Sequence, residues 1–408
     1  MPNTKPKIAI FIADGMADYK IKELGNKTPL EAAHKPNLDK LARQGIGGLL
    51  KTIPDNMGAG SDVANMSILG YAPEKYYTGR GPIEAGGLGI KLKESDVAFR
   101  CNLITEQSGR IHDYSGGHVT TGEARELIKT LNRELGKLGK FYASVSYRNL
   151  FITKLGAGLI STPPHDALGE KISSCLLKPG KNSKEEKRDA KLLNQLMLES
   201  KEILENHSIN KKRISKKKLP ANMIWLWGQG KKPRFENFRR LHGLSGAVIS
   251  AVDIIRGMAK LAGMDIIKVP GITGHYDTNY EGKGKYAAKA LSKYDFIYVH
   301  VEAIDEASHA GDMEMKIKTI EEFDRRLLGK FLDSLNKEQE DCIIAVLPDH
   351  FTPISMRTHA RDPVPYVISS KALRKKDSLA KYTEEEIKSK GSLGVKRGEE
   401  LIRLLQRL

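Results

Sequence analysis

Cysteine is scarce in this chain of 408 residues: Cys101, Cys175 and Cys342 are few, far apart and odd in number. That argues against a disulfide scaffold and a thiolate metal site, and it fits a reducing cytoplasm. Long apolar runs are missing as well. No stretch approaches the roughly 20 apolar residues of a membrane span. The first apolar run, Ile8 to Ala13, is too short for a secretion signal and ends in Asp14. Neither a dinucleotide nor a P-loop fingerprint occurs, and no periodic repeat is present. Apolar content, at 40%, is that of a soluble globular protein, and the length suits two domains better than one.

Acidic residues are in deficit, and the formal net charge is +17. Such a balance suggests acidic ligands, from nucleic acid to small phosphorylated metabolites. From Lys178 to Lys218 there are 13 Lys and Arg against 6 Asp and Glu, so this segment alone supplies +7. It has no interleaved aromatic residues and no nucleic-acid-binding motif. It reads as a solvated helical surface, not a specific nucleic-acid site.

Three apolar runs of strand length each deliver metal-type ligands at or just after the carboxyl end. Ile8 to Ala13 is followed by Asp14-Gly15. Phe296 to Val301 is followed by Asp305 and His309. Ile343 to Leu347 is followed by Pro348-Asp349-His350, with His359 in a proline-rich loop nine residues on. Ligands of open α/β sheets bind outside the carboxyl ends of the strands, and carboxylate with imidazole suits Zn²⁺, Mn²⁺ and similar ions. Asp305 and His309 are four apart, so on a helix they share one face. Each pair alone also fits a turn or helix-cap Asp beside a surface His; the joint placement favours a two-metal site. Ser61, after Met57-Gly58-Ala59-Gly60, stands where a helix begins, among oriented N–H groups at a positive dipole end. With cations nearby it becomes a nucleophile for phosphoryl transfer; without them it is a helix cap.

Other stretches set further expectations. Pro29 to Ala33 and Asn37 to Ala42 read as short helices, the second with an Asn cap. Gly79 through Gly89 reads as a glycine-rich crossing between domains. Thr120 and Glu123 form a capping box ahead of a helix whose buried face is Ala124, Leu127, Ile128, Leu131 and Leu135. Ser144 to Ile152, Asn222 to Trp227 and Ile266 to Pro270 read as strands.

The order Ala13-Asp14-Gly15-Met16-Ala17-Asp18, Gly60-Ser61-Asp62-Val63-Ala64-Asn65, Tyr77-Thr78-Gly79-Arg80-Gly81-Pro82, His300-Val301-Glu302 with Asp305 and His309, and Pro348-Asp349-His350 with Thr358-His359 resembles the archaeal-type cofactor-independent phosphoglycerate mutases of the alkaline phosphatase superfamily. The resemblance covers most of the chain and is weakest over Lys178 to Arg240, which includes Trp225 and Trp227. It implies a mostly parallel α/β sheet flanked by helices, with a smaller inserted α/β domain. The expected division is 1–88 with 243–408 for the metal-binding domain and 89–242 for the substrate-binding insert. It implies interconversion of 3-phosphoglycerate and 2-phosphoglycerate, a step of glycolysis and gluconeogenesis, through a phosphoserine on Ser61 and without 2,3-bisphosphoglycerate. One ion would sit with Asp14, Ser61, Asp349 and His350, the other with Asp305, His309 and His359. Mn²⁺ is the leading expectation, with Mg²⁺, Co²⁺ or Zn²⁺ as alternatives. His118 matches the family's substrate histidine; Arg100, Arg148 and Lys283 are set down for phosphate or carboxylate binding. The expected partner is a small phosphorylated substrate, with no membrane and no specific nucleic acid; a homo-oligomer stays open. A metal-dependent phosphohydrolase is the nearest rival, and a non-catalytic nucleic-acid binder leaves Ser61 and the ligand set unexplained.

Overall fold

A continuous apolar run without polar alternation forms a stable strand only where both faces of the sheet are covered. In the computed structural model, which describes residues 7–338 and 341–408, three such runs lie side by side at the centre of a sheet. The first part of the chain contributes β1 (Ile8–Ala13) and β2 (Gly45–Lys51). The middle contributes β3 (Val97–Gln107), β4 (Arg110–Asp113), β5 (Gly139–Tyr142), β6 (Arg148–Thr153), β7 (Leu159–Ile160), β8 (Lys178–Pro179) and β9 (Met223–Lys231). The last part contributes β10 (Gly246–Ile249), β11 (Asp265–Ile266), β12 (Phe296–Val301), β13 (Ile343–Leu347), β14 (Val364–Ser369) and β15 (Val395–Arg397).

The chain divides into two compact units, Met1–Tyr77 with Phe235–Leu408, and Thr78–Arg234. The first is built on an eight-stranded sheet in the order β11-β10-β12-β1-β13-β14-β2-β15. β1 pairs in parallel with β12 and β13, while β14 runs antiparallel to β13 and β2. All residues of β1, β12 and β13 are buried. Ala9, Phe11 and Ala13 join Ile297, Val299, Val301, Ile344 and Val346 in one core. Side chains alternate along a strand, so Tyr298 and His300 belong to the opposite face, where His300 is the register partner of Ile12. Helices follow the strands and cover the sheet, as expected of a mostly parallel α/β fold.

The second unit has its own core, including Phe99, Leu127, Leu131, Phe151, Leu193, Leu196 and Trp225. Its five-stranded sheet is antiparallel, with β3 pairing β4, β6 and β9. The helix Thr121–Leu135 starts at the Thr120/Glu123 capping box, and the basic helix Lys184–Glu205 buries Leu193, Leu196, Met197 and Leu204.

Several local expectations change. Gly79 to Gly89 is no simple crossing: Arg80–Gly87 is a helix of the second unit. Its glycines serve close packing, since a Cβ at Gly79 would collide with the Gln229 carbonyl and one at Gly81 with the Ala98 carbonyl. The units therefore separate after Tyr77 and rejoin at Phe235, not at the expected 88 and 243. Asn37 is not the cap of its helix, which runs Pro36–Arg43 from Lys35 without a side-chain cap. Asp324, distant in sequence, takes the Asn37 and Leu38 N–H groups at 3.2 and 2.6 Å. Two predicted strands are shorter: β6 begins at Arg148, and β11 ends at Ile266.

Candidate metal centre

The carboxyl ends of β1, β12 and β13 bring the predicted ligands together. Asp14 follows β1, and Asp349 and His350 follow β13. Asp305 and His309 lie on the helix Ala303–Ala310 that leaves β12. His309 Nε2 is 3.0 Å from Asp305 Oδ2 and 3.1 Å from His359 Nε2, and His359 Nε2 is 3.8 Å from the same Asp305 oxygen. The Nδ1 of His309 faces the Arg357 carbonyl at 2.9 Å. A carbonyl only accepts, so Nδ1 carries a proton, and Nε2 is the nitrogen that faces Asp305 and His359.

Asp14, Asp349 and His350 form the adjoining group. His350 Nε2 lies 3.4 Å from Asp14 Oδ1, 3.4 Å from Asp349 Oδ2 and 3.1 Å from Ser61 Oγ. Ser61 is the first residue of the helix Ser61–Ile68, and Gly60 precedes it with an extended backbone. Asp349 is oriented by four neighbours. Its Oδ1 accepts the Gly15 and His350 N–H groups at 3.2 and 2.9 Å, its Oδ2 accepts Asn65 Nδ2 at 2.7 Å, and its carbonyl accepts the Thr52 hydroxyl at 2.6 Å. Asn65 Nδ2 also donates to the Ser61 carbonyl at 2.8 Å, and its Oδ1 accepts the Tyr298 hydroxyl.

The electrostatics match the donor set. Asp14, Asp349 and His350 are at most 1% exposed and Asp305 is 5% exposed. Burial, reinforced by Asp349 and Asp305, holds the Asp14 carboxyl well above its ordinary range. Burial alone would also raise Asp305, but His309 and His359 outweigh it and hold that carboxyl well below the usual range. Burial opposes a charge on His309, yet Asp305 wins and raises it to about 9. Burial pushes His350 down to about 4, so its imidazole is neutral. Asp14 Oδ1 is buried without a hydrogen-bond donor. Three buried carboxylates around one such orphaned oxygen are costly unless cations share the space. The residues therefore fit metal binding. Among the described residues, three groups have ligand atoms within 4.8 Å of one another: Asp305-His309-His359, Asp14-His300-Asp349 and Asp14-Asp305-His350. Oxygen and imidazole donors without thiolate suit Mn²⁺, Mg²⁺, Co²⁺ or Zn²⁺.

Four neighbours went unassigned in the sequence. His300 was quoted within a strand and in the His300-Val301-Glu302 motif but given no role, yet its Nε2 is 3.0 Å from Asp14 Oδ2. Strand alternation was the available signal. Asn65, Tyr298 and Thr352 were given no role, because the Asn65–Asp349, Tyr298–Asn65 and Thr352–Asp305 contacts join residues remote in sequence.

Lys283, set down as a substrate candidate, lies in the first unit. It is 1% exposed, burial lowers its amine to about 7, and Nζ donates to the His300 carbonyl at 2.8 Å. A buried amine tied to main chain supports the end of β12.

The other substrate candidates lie in the second unit. Arg100 is buried against Glu84, which also takes Arg80 Nε at 2.9 Å. Both guanidinium groups lie over the Trp227 ring, at 5.4 and 5.6 Å. Burial would raise the Glu84 carboxyl, but Arg100, Arg80 and then Arg148 together hold it below its ordinary value. Three arginines thus surround one carboxylate. Arg80 and Trp227 were quoted in the sequence but given no role. His118 is exposed, in the left-handed region (φ 51) directly after Gly116 and Gly117. Its loop is tied to Asp113 and to Arg213, whose Nη2 donates to both glycine carbonyls at 2.8 Å. One residue of the basic segment therefore has a structural task.

Fold and site together define a mixed α/β enzyme that gathers carboxylates and imidazoles beside a helix-terminal serine. Residues 42–210 match the family of 2,3-bisphosphoglycerate-independent phosphoglycerate mutases. The chain is 50% identical over 402 residues to 2,3-bisphosphoglycerate-independent phosphoglycerate mutase 2 of Methanothermobacter thermautotrophicus, covering 98% of this chain and 97% of that one. It is 48% identical to the corresponding mutase of Methanosarcina mazei, covering 98% and 99%. Among solved structures, a protein of Pyrococcus horikoshii is similar with a TM-score of 0.81 and 30% identity, over 99% and 98% of the two chains. The cofactor-independent phosphoglycerate mutase of Thermoplasma acidophilum is similar with a TM-score of 0.63 and 29% identity, over 98% and 99%. The chain belongs to the family of 2,3-bisphosphoglycerate-independent phosphoglycerate mutases and is an isomerase. Among the described residues, no helix is long and apolar enough to cross a membrane.

Proposed function

We propose that the chain interconverts 3-phosphoglycerate and 2-phosphoglycerate through a phosphoserine on Ser61, with two divalent cations. The observation that carries this reading is the meeting of a helix-terminal hydroxyl with the ligand set: Ser61 Oγ lies 3.1 Å from His350 Nε2, among Asp14 and Asp349. Asp14, Ser61, Asp349 and His350 would hold one ion, and Asp305, His309 and His359 the other. When bound, such cations neutralise phosphoryl charge and lower the serine pKa.

Ser61 Oγ gives up its proton and attacks phosphorus, the P–O bond to the substrate oxygen breaks, and that oxygen takes a proton to become the free hydroxyl. Glycerate stays bound, its second hydroxyl attacks the phosphoserine, and Ser61 is regenerated. The first N–H groups of the helix Ser61–Ile68 favour the transferring anion. Arg80, Arg100 and Arg148 bind the substrate's anionic groups; with Glu84 as their shared carboxylate, that cluster keeps net positive charge. His118 carries the proton between substrate oxygens or holds the phosphate.

The test is an assay of metal-loaded protein on 3-phosphoglycerate without bisphosphoglycerate, following both 2-phosphoglycerate and inorganic phosphate, with an EDTA-stripped control. Metal-dependent 2-phosphoglycerate, abolished by Ser61→Ala, is the expected result. Inorganic phosphate as the sole product would replace the mutase with a phosphohydrolase.

A further inference from the structure

Two side chains from different ligand clusters share one hydroxyl. Thr352 is fully buried, and its Oγ1 lies 2.7 Å from Asp305 Oδ1 and 3.0 Å from His350 Nδ1. A hydroxyl has one hydrogen to donate and two lone pairs. An ionised carboxylate can only accept, so the hydrogen points to Asp305. The second contact must then be a donation from His350 Nδ1–H to Thr352 Oγ1. A neutral imidazole has a single N–H, so Nε2 keeps its lone pair. That is the nitrogen closest to Ser61 Oγ, Asp14 Oδ1 and Asp349 Oδ2.

We propose that Thr352 is a positioning residue that locks His350 in the Nδ1–H tautomer and ties it to Asp305, so that the two cation clusters assemble as one unit. The inference rests on the two-ion reading above and gives it an internal link.

The surroundings hold Thr352 in place. Its N–H donates to the Ala17 carbonyl at 3.2 Å, and its own carbonyl accepts Lys316 Nζ at 2.9 Å. Lys316 is itself paired with Asp18 Oδ2 at 2.8 Å, and the same oxygen accepts the Ile354 N–H at 3.1 Å. A buried ion pair thus holds the chain just after the residue, at the Thr352 carbonyl and the Ile354 N–H. Across the site, Gly15 has φ +62, and a Cβ there would stand 2.5 Å from Asp305 Oδ1 and 2.7 Å from Thr352 Oγ1. The missing side chain at position 15 is what leaves room for the Thr352–Asp305 hydrogen bond. The β-branched side chain is also stiff at χ1, which aims the hydroxyl more firmly than a serine would.

The experiment has two readouts. In ¹⁵N-histidine-labelled, ion-free protein, long-range ¹H–¹⁵N spectra report which His350 nitrogen carries the proton, with His350→Asn for assignment. Wild type is expected to show Nδ1–H; Nε2–H in wild type overturns the proposal whether or not any variant folds. Mn²⁺ titration, read by the electron-spin signal of free Mn²⁺, then compares Thr352→Val with Thr352→Ser. Loss of an outer partner of metal ligands costs about 10–100-fold in affinity. Thr352→Val should show that loss at both sites together, and Thr352→Ser should recover most of it. Two wild-type-like Mn²⁺ affinities in folded Thr352→Val would sink the proposal while leaving the two-ion reading intact. Failure of wild type to take up Mn²⁺ would instead sink the two-ion reading, and the coupling with it.

Discussion

Truncating Asn65 should separate the metal centre from its support. The residue is fully buried. Its amide nitrogen donates to Asp349 Oδ2 at 2.7 Å and to the Ser61 carbonyl at 2.8 Å, and its oxygen accepts the Tyr298 hydroxyl. Asn65→Ala removes a charge-assisted hydrogen bond, about 1.5–3 kcal/mol, and leaves the Tyr298 hydroxyl unsatisfied, about 1–3 kcal/mol. Because neighbouring terms are not additive, a loss of about 3–4 kcal/mol in unfolding free energy is the reasonable sum. Tyr298→Phe leaves Asp349 its donor and should cost only about 1–2 kcal/mol. The two variants should differ more sharply in Mn²⁺ affinity, with Asn65→Ala weaker by about 10–100-fold and Tyr298→Phe near wild type. Urea unfolding of ion-free protein gives the first quantity and Mn²⁺ titration the second. If Asn65→Ala binds Mn²⁺ as tightly as Tyr298→Phe, the claim that Asn65 aims Asp349 is wrong.

Three further outcomes follow from the geometry. Lys283 has a folded pKa of about 7 against an ordinary 10.5, so between those values the unfolded chain binds more protons and stability rises with pH; Lys283→Met should remove that slope in urea midpoints measured from pH 7 to 10, and an unchanged slope would contradict the burial argument. Gly15→Ala forces a side chain into the left-handed region, about 1–2 kcal/mol, and against Asp305 and Thr352; Mn²⁺ titration should show more than about tenfold weaker binding. Asp324→Ala uncaps the helix Pro36–Arg43 and should cost about 2–3 kcal/mol by thermal or urea unfolding with Mn²⁺ affinity unchanged, so a parallel loss of Mn²⁺ binding would show that the cap also supports the site.

The features readable in the sequence were those with a local signature. Ile8–Ala13, Phe296–Val301 and Ile343–Leu347 announce buried parallel strands because each is continuous and apolar, and their ligands follow within a few residues. Features closed by distant contacts were not readable. Nothing near Asn37 indicates that Asp324 will cap its helix. His300 lies inside an apolar run, so its place beside Asp14 emerges only once β1 and β12 are in register. The passage around Arg80 resembled a linker because glycine disfavours helix; packing against the main chain of Ala98 and Gln229 overrides that propensity. Lys283 shows the converse, since lysine usually means surface and here the amine serves a buried carbonyl.

β12, β1 and β13 are immediate neighbours in the sheet, and all three present their ligands at the same end. Main-chain hydrogen bonding sets adjacent strands about 4.8 Å apart, a pitch that side-chain substitution does not alter. The sheet is in effect a gauge: it meters the spacing of the charged groups before any loop is built. Loops can diversify what is held without recalibrating that gauge. A one-residue slip of a single strand would turn its side chains to the other face and spoil the measure for all three at once.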